Sequence, residues 1–229
     1  MTKKPRLTLF DLDHTLLSGD TDVLWCEFLM DKGVLERRDF AARNADMEAR
    51  YKAGTVGVQE FADFYVGTLV GKSMAEWEPL RRAFLASHVI PRIPRAAIHL
   101  VRQHLRAGEL VVMTTATNRF ITELTAVYFG IENLLATETE VIDGVFSGKT
   151  SGTLNMRAGK VERLGQWLAA RGNKLEDFHS TAYSDSINDR PLLEAVDEAV
   201  AVDPDPLLSD VAHQRGWRVL RLHPADARS

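Results

Sequence analysis

Short apolar runs that end in polar residues recur along the chain at wide intervals. They are LTLF (7–10), LVVMTTAT (110–117) and HSTAYSD (179–185). A strand that is covered on both faces is apolar throughout, so each run predicts a buried strand that leads into a polar loop.

Longer segments with apolar residues at helical spacing lie between these runs. Strands that alternate with helices indicate a parallel sheet with helices on its faces, so we predict an α/β fold. The helical segments are 96–107, 119–130, 160–171 and 189–195.

Two segments depart from this alternation. Residues 138–148 alternate between apolar and polar around Asp143 and Gly144, which predicts a β-hairpin that makes an excursion from the sheet. Residues 17–91 are helix-like throughout and end near the prolines of PRIPRAA (91–97), which suit a boundary and a helix start. We therefore expect a helical insertion at 17–91 in a core domain formed by 1–16 and 92–229.

Composition limits the class of protein. The chain has 229 residues, of which 45% are hydrophobic, and a formal net charge of −4, which argues against nucleic acid as a partner. Cys26 is the single cysteine, so no intramolecular disulfide is expected and a reducing cytoplasm is the simplest location. No apolar run approaches the roughly 20 residues that span a bilayer, so we expect no membrane partner.

Polar side chains follow the predicted strands. In an open α/β sheet, ligands bind beyond the carboxyl ends of the strands, where Asp11, Asp13, Thr115 and Asp185 would gather. Two carboxylates one residue apart at a strand end can face different partners. The alternative is that Asp11 and Asp13 only cap a loop.

Four short motifs occur in a recognisable order: DLDHT (11–15), Thr115 in MTTAT, Lys160 in AGKVERLGQWL, and YSDSIND (183–189). In this order the chain resembles the haloacid dehalogenase-like phosphatases, and within them the phosphoserine-phosphatase-like branch (subfamily IB). The resemblance implies a Rossmann-like parallel sheet core with an inserted helical cap domain.

The resemblance also implies catalytic roles. Asp11 would be the nucleophile, because a carboxylate is ionised at neutral pH and needs no base to activate it. Asp13 would be the general acid and base, a role that favours a raised pKa. Thr115 and the backbone N–H of Ala116 would bind phosphoryl oxygens, and Lys160 would offset negative charge.

A Mg²⁺ site is implied in the same way. Asp185, the Asp11 carboxylate and the Asp13 backbone carbonyl would hold the ion, since Mg²⁺ takes oxygen ligands. Asp189 would be a water-mediated or outer ligand, and Asn188 would orient the substrate side of the site.

Several residues compete for these roles. Thr114 or Thr117 could replace Thr115 if the strand end is misplaced by a residue. Lys149 in FSGKTSG competes with Lys160, although the P-loop pattern lacks its first glycine. We expect Lys149 to be a hairpin residue, and His14 to contribute chiefly a backbone N–H.

The substrate is less well defined. Phosphoserine phosphatases usually carry Glu where this chain has Asp20, and a cap Arg near the position of Phe64, which would grip a substrate carboxylate. An amine-bearing phosphomonoester such as histidinol phosphate, phosphoethanolamine or phosphocholine would suit the acidic and aromatic residues here, with phosphoserine less expected. Otherwise the aromatic residues form the cap core and Cys26 is a packed thiol. The residues concerned are Asp20, Asp22, Trp25, Glu27, Phe28, Phe64 and Tyr65.

The sequence as a whole predicts a Mg²⁺-dependent phosphatase that acts on a small phosphomonoester through an aspartyl-phosphate, as a monomer or homodimer. One alternative is a phosphotransferase or mutase of the same superfamily. The other is a catalytically silent module that binds phosphate or Mg²⁺, because a fold alone does not establish a function.

Overall fold

A computed structural model of the chain describes residues 4–223, and it contains a seven-stranded sheet with the strand order β4-β3-β2-β1-β5-β6-β7. All neighbouring strands are parallel except β3 and β4. Residues 1–3 and 224–229, which the sequence analysis assigns to the core domain, lie outside the described residues. The strands are β1 (Arg6–Phe10), β2 (Leu110–Asn118), β3 (Asn133–Ile142), β4 (Val145–Ser151), β5 (His179–Ser184), β6 (Glu198–Val202) and β7 (Arg218–Leu220).

Helices cover both faces of this sheet. The α-helices are α1 (Thr21–Asp31), α2 (Arg37–Lys52), α3 (Val58–Val66), α4 (Met74–Phe84), α5 (Arg95–Arg106), α6 (Arg119–Phe129), α7 (Ala158–Ala169), α8 (Arg190–Ala195) and α9 (Pro206–Arg215). A single π-helical turn follows α4 at Leu85–Val89. Short 3₁₀ turns lie at Gly67–Leu69, Ile90–Arg92, Leu175–Asp177 and Ile187–Asp189.

Strand β1 shows why the sheet is buried on both faces. Leu7 and Leu9 point to one side, where they pack in a cluster with residues of α7, α8 and α9. Phe10 points to the other side and joins a cluster with residues of α1, α5 and α6. Apolar residues therefore fill both alternating positions, as expected for a central parallel strand. The α/β prediction is confirmed.

The segment between β1 and α5 is helical, and its aromatic interior is well packed. Trp25 and Phe28 of α1 are fully buried, and the Trp25 ring lies 5.1 Å from Phe84 of α4 and 6.3 Å from Phe120 of α6. The expectation that Trp25 and Phe28 belong to a core is confirmed. Neither ring is available to a substrate.

The predicted β-hairpin around Asp143 and Gly144 is present, formed by β3 and β4, and the first half of β3 connects it to the sheet. Strand β3 begins at Asn133, and its first half pairs with β2 while its second half pairs with β4. Its burial changes at the same point, from mostly buried to exposed. The alternating pattern marks only the half that leaves the sheet, because the buried half is apolar or small on both faces.

Other element boundaries shift by a few residues, as helix ends commonly do. The helix predicted at 160–171 begins at Ala158, and the helix predicted at 189–195 begins at Arg190 after a 3₁₀ turn. The elements β6, α9 and β7 were not predicted. No helix within residues 4–223 is long and apolar enough to cross a membrane.

Candidate active site

Lys160 lies at the centre of the polar residues beyond the strand ends. Its ammonium donates to Asp11 Oδ1 at 2.7 Å and to Asp189 Oδ2 at 2.6 Å, and the residue is only 2% exposed. Burial alone would lower the pKa of Lys160, but the charges of the two carboxylates and their hydrogen bonds outweigh it and raise the pKa. Lys160 therefore remains charged across the physiological pH range.

The Asp13 carboxylate is held by three threonines. Its Oδ1 accepts from the backbone N–H and the hydroxyl of Thr21, both at 2.7 Å, and its Oδ2 accepts from Thr117 at 2.9 Å and Thr115 at 3.3 Å. Burial and the charge of Asp20 raise the pKa of Asp13 to about 6, although the hydrogen bonds of Thr21 and Thr117 oppose the shift. A carboxyl with that pKa can both hold and release a proton near neutral pH.

The Thr15 hydroxyl connects Asp11 and Asp185. Its oxygen lies 3.0 Å from both Asp11 Oδ2 and Asp185 Oδ1, and it accepts from the Asp185 backbone N–H at 3.0 Å. Burial, with the charges of Asp189 and Asp13, raises the pKa of Asp11 to about 7 despite Lys160. Burial and the charge of Asp11 also raise the pKa of Asp185.

The side chains that meet here can be compared with the ligands that a Mg²⁺ site requires. Asp11, Asp13, Asp185 and Asp189 bring four carboxylates to a buried region that holds one ammonium, Lys160, so the donor set is oxygen-only and carries excess negative charge. That chemistry fits Mg²⁺. No group of three or more His, Cys, Asp or Glu side chains in the described part of the chain is arranged to hold a metal. A site here would thus rely on Asp11, Asp185, the Asp13 carbonyl and water.

The candidate phosphate loop lies at the end of β2. The Thr115 hydroxyl reaches Asp13, whereas the Thr114 hydroxyl faces away and accepts from the side chain of Asn155 at 3.0 Å. Thr117 also contacts Asp13. Ala116 packs against apolar residues of α2 and α3. Of the two alternatives to Thr115, Thr117 contacts the Asp13 carboxylate as Thr115 does, and Thr114 contacts Asn155 instead.

The remaining predicted site residues are partly engaged within the chain. Asp189 Oδ2 accepts from Lys160 and from Ser184 at 2.8 Å, which fits an outer role better than direct metal contact. Asn188 accepts from Arg157 Nε at 3.2 Å. Asp20 caps α1, where its Oδ1 accepts from the backbone N–H groups of Asp22 and Val23.

Two alternatives from the sequence occupy other places. Lys149 is exposed on β4, so the prediction that it is a hairpin residue is confirmed. The backbone N–H of His14 donates to Gly19 O at 3.0 Å, so the hydrogen bond that it contributes lies within the loop. A tight turn at residues 14–19 uses that group.

The helical segment brings a second set of residues over the site. Asp22 is only 4% exposed, and its Oδ1 lies 3.5 Å from Asn118 Nδ2. Tyr65 is 1% exposed, and its hydroxyl has no hydrogen-bond partner within residues 4–223. Burial and the charges of Asp20 and Asp22 raise the pKa of Tyr65. Cys26 is fully buried in the same cluster, so the packed-thiol prediction is confirmed.

Tyr51 of α2 packs beside the candidate phosphate loop, a position that the sequence analysis did not predict. Burial raises its pKa. Tyr51 belongs to the packed cluster that includes Ala116 and Tyr65. Its ring stacks on Phe61 at 4.1 Å. Tyr51 lies in a helix with a polar sequence, and nothing in its local pattern marks it. By contrast, Glu27 is exposed.

Comparisons with known proteins show the family of the chain. The family model described as haloacid dehalogenase-like hydrolase matches residues 8–194. A histidinol-phosphatase of Neisseria meningitidis serogroup C is 38% identical over 216 residues, which cover 93% of this chain and 97% of that protein. A phosphoserine phosphatase of Mycobacterium tuberculosis is 30% identical over 218 residues, which cover 92% of this chain and 68% of that protein.

Solved structures extend the comparison. A protein of unknown function from Bordetella pertussis Tohama I has a TM-score of 0.92 at 42% identity, over 96% of this chain and all of that one. A substrate-bound phosphoserine phosphatase has a TM-score of 0.68 at 18% identity, over 100% of this chain and 96% of that one. The second likeness is one of fold.

Proposed function

Because the chain belongs to the haloacid dehalogenase-like hydrolase family and is a phosphatase, we propose that it hydrolyses a small amine-bearing phosphomonoester through an aspartyl-phosphate on Asp11. The observation that carries the proposal is the Asp11 carboxylate, held 2.7 Å from the buried ammonium of Lys160 and linked by Thr15 to Asp185. Residues 17–91 form the cap in this proposal, and residues 1–16 and 92–229 form the core.

The first step forms a bond between an Asp11 carboxylate oxygen and phosphorus. As the bond to the leaving alcohol breaks, Asp13 gives its proton to the alcohol oxygen. In the second step Asp13 takes a proton from water, whose oxygen attacks phosphorus and releases Asp11 and inorganic phosphate. The pKa of about 6 for Asp13 supports both directions of proton transfer.

Charge stabilisation comes from fixed groups. Lys160 stays protonated and faces the nucleophile, so it can offset charge that develops on the phosphoryl group. The Thr115 hydroxyl and the Ala116 N–H would bind phosphoryl oxygens. Bound by Asp11, Asp185 and the Asp13 carbonyl, Mg²⁺ would supply positive charge that lets two anions approach.

We propose histidinol phosphate as the first substrate to test, before phosphoethanolamine and phosphoserine. One support is the similarity to a histidinol-phosphatase over nearly all of that protein. The other is a set of acceptors for an ammonium group: Asp20, Asp22 and the Tyr65 hydroxyl, which has no partner in the described part of the chain. The aromatic rings of Tyr51 and Tyr65 would flank an imidazole or alkylammonium group.

The test is a phosphate-release screen over metabolite phosphomonoesters, with and without Mg²⁺. We expect Mg²⁺-dependent release, with higher kcat/KM for histidinol phosphate than for a neutral sugar phosphate of similar size. Equal kcat/KM for the two would remove the amine-bearing substrate class. Undiminished release in the presence of a chelator would remove the Mg²⁺ requirement.

Transfer to a second alcohol uses the same Asp11 and Asp13 chemistry, so only an acceptor distinguishes it. Recovery of a new phosphate ester when a candidate alcohol is added would favour transfer over hydrolysis. We place the enzyme in the cytoplasm, where its single buried thiol would stay reduced.

A further inference from the structure

Asn155 fills a gap between two strands at the phosphate loop. Strands β2 and β3 pair from Val112 to Thr114, and their register then shifts before Asn118. The pairing of β2 with β1 ends at Met113. Residues 115–117 therefore have no strand partner in either register, and their backbone orientation depends on other contacts.

The Asn155 side chain supplies such contacts. Its Nδ2 lies 2.9 Å from Thr115 O on β2, 2.9 Å from Leu135 O on β3 and 3.0 Å from Thr114 Oγ1. The residue is 0% exposed. One amide group thus joins the carbonyls of two strands where their own ladder is interrupted.

Because the peptide bond is planar, a contact that fixes the Thr115 carbonyl also fixes the direction of the Ala116 N–H. In a trans peptide the carbonyl and the following N–H point in opposite directions. The Thr115 carbonyl points toward β3 and Asn155, so the Ala116 N–H points toward β1. Asp11 and Asp13 follow β1 on that side of β2.

We propose that Asn155 is a positioning residue that aims the Ala116 N–H at a phosphoryl oxygen of the substrate. This inference rests on the proposed function. By holding the carbonyl of the same peptide group, Asn155 fixes the N–H before substrate arrives, and preorganised donors are those that stabilise developing charge.

The unpaired oxygen of the same side chain supports a functional role. Asn155 Oδ1 is buried and has no hydrogen-bond partner among the described residues. A buried acceptor without a partner destabilises a fold, and a side chain that served packing alone would not need to be an amide. The two N–H groups of Asn155 account for its presence.

The segment that carries Asn155 also leads to Lys160. The Asn155 backbone N–H donates to Thr137 Oγ1 at 3.3 Å, and α7 begins three residues later at Ala158. One short segment thereby sets both the N–H that binds the phosphoryl group and the ammonium beside the nucleophile.

The test replaces Asn155 with leucine, which keeps the volume and removes both donors. Asn133→Leu is the matched control, because Asn133 Nδ2 donates to Val111 O at 3.1 Å and joins the same two strands at their other end. The measurements are kcat, KM, the inhibition constant of inorganic phosphate, and thermal unfolding. We expect Asn155→Leu to lower kcat/KM about 10²-fold, as for loss of one oxyanion donor, and to weaken phosphate inhibition. Asn133→Leu should change neither.

Two outcomes would overturn the positioning role. One is a folded Asn155→Leu enzyme with wild-type kcat/KM and phosphate inhibition. The other outcome is measured on the wild-type enzyme and serves if the variant does not fold. It is an NMR signal of the Ala116 amide that does not shift when inorganic phosphate is added. A wild-type enzyme that releases no phosphate from any phosphomonoester would instead overturn the proposed function.

Discussion

Lys160 and Asp11 are 149 residues apart in sequence, and the Lys160 ammonium lies 2.7 Å from an oxygen of Asp11 in a buried salt bridge. Asp11 directly follows strand β1 and Lys160 lies in helix α7, so the pair forms only when the sheet and its helix layer are assembled. The same contact holds and neutralises the proposed nucleophile, which links the stability of the fold to the proposed chemistry.

Lys160→Met should therefore lower both stability and activity. The substitution leaves Asp11 and Asp189 without their shared cation in a buried place, and removing one partner of a buried ion pair typically costs about 3 to 5 kcal/mol. Urea unfolding at about pH 8 measures the loss, and phosphate release should fall by at least about 10²-fold. Lys149→Met, at an exposed lysine of β4, is the control. A Lys160→Met protein as stable and active as wild type would contradict the account.

Gly159→Ala should disrupt the turn into α7. A Cβ at Gly159 would lie 2.1 Å from Leu154 O, a backbone atom, so the segment that carries Asn155 and Lys160 would have to move. Overpacking of this kind costs about 1 to 3 kcal/mol. We expect a lower unfolding midpoint and lower kcat.

Gly165→Ala is the matched control in the same helix. A Cβ there meets nothing within 4 Å, and alanine is favoured over glycine in a helix interior by up to about 1 kcal/mol. The two variants should shift the melting temperature in opposite directions. A shift of the same sign in both would show that the close approach at Leu154 does not control the turn.

Tyr65→Phe separates packing from recognition. The Tyr65 hydroxyl is buried and has no partner among the described residues, so its removal should leave stability unchanged or raise it by about 1 kcal/mol. If the hydroxyl accepts from the substrate amine, kcat/KM should fall about tenfold for histidinol phosphate and stay constant for a neutral phosphomonoester. Tyr128→Phe, at an exposed tyrosine, should leave kcat/KM unchanged for both substrates. An equal loss for both substrates would argue against recognition.

Glu138 should make stability depend on pH in the acidic range. Burial would raise its pKa, but hydrogen bonds and charges from Arg119 and Arg163 outweigh that effect and hold the pKa below 4.5. The folded state therefore binds this proton less tightly than the unfolded state, so the contribution is fully present above about pH 4.5 and is lost as pH falls through the folded pKa. Glu138 is partly exposed, which limits the size of the effect.

Urea unfolding of wild type and Glu138→Gln at several pH values measures that contribution. The wild type should be the more stable protein by a constant amount from about pH 7 to about pH 5, and the difference should shrink below that range. A difference that grows on acidification would contradict the assigned direction of the shift.

Local pattern and sheet topology were enough to predict much of this site. Asp11, Asp13 and Asp185 follow strands whose carboxyl ends meet at one edge, Thr115 lies in the last part of β2, and the structure brings the four together there. The parallel core followed from apolar runs separated by helical segments. The first half of β3 and the strand β6 carry no alternation, so their pattern alone did not mark them.

Contacts between distant segments could not be predicted in this way. Thr15 reaches Asp185 across 170 residues, and Asn155 reaches Thr115 across 40. Both depend on a buried polar side chain that meets a specific oxygen after the layers pack. A single sequence records the side chain but not its partner. The position of Tyr51 could not be predicted for the same reason.

Covalent phosphorylation of Asp11 is the central claim, and acid quenching during turnover followed by peptide mass spectrometry tests it most directly. With histidinol phosphate and Mg²⁺, the peptide that contains Asp11 should carry one phosphoryl group, and that species should be absent in Asp11→Asn, which should also release no phosphate. An active wild-type enzyme with no phosphorylated Asp11 peptide, or an Asp11→Asn enzyme that keeps wild-type turnover, would contradict the account.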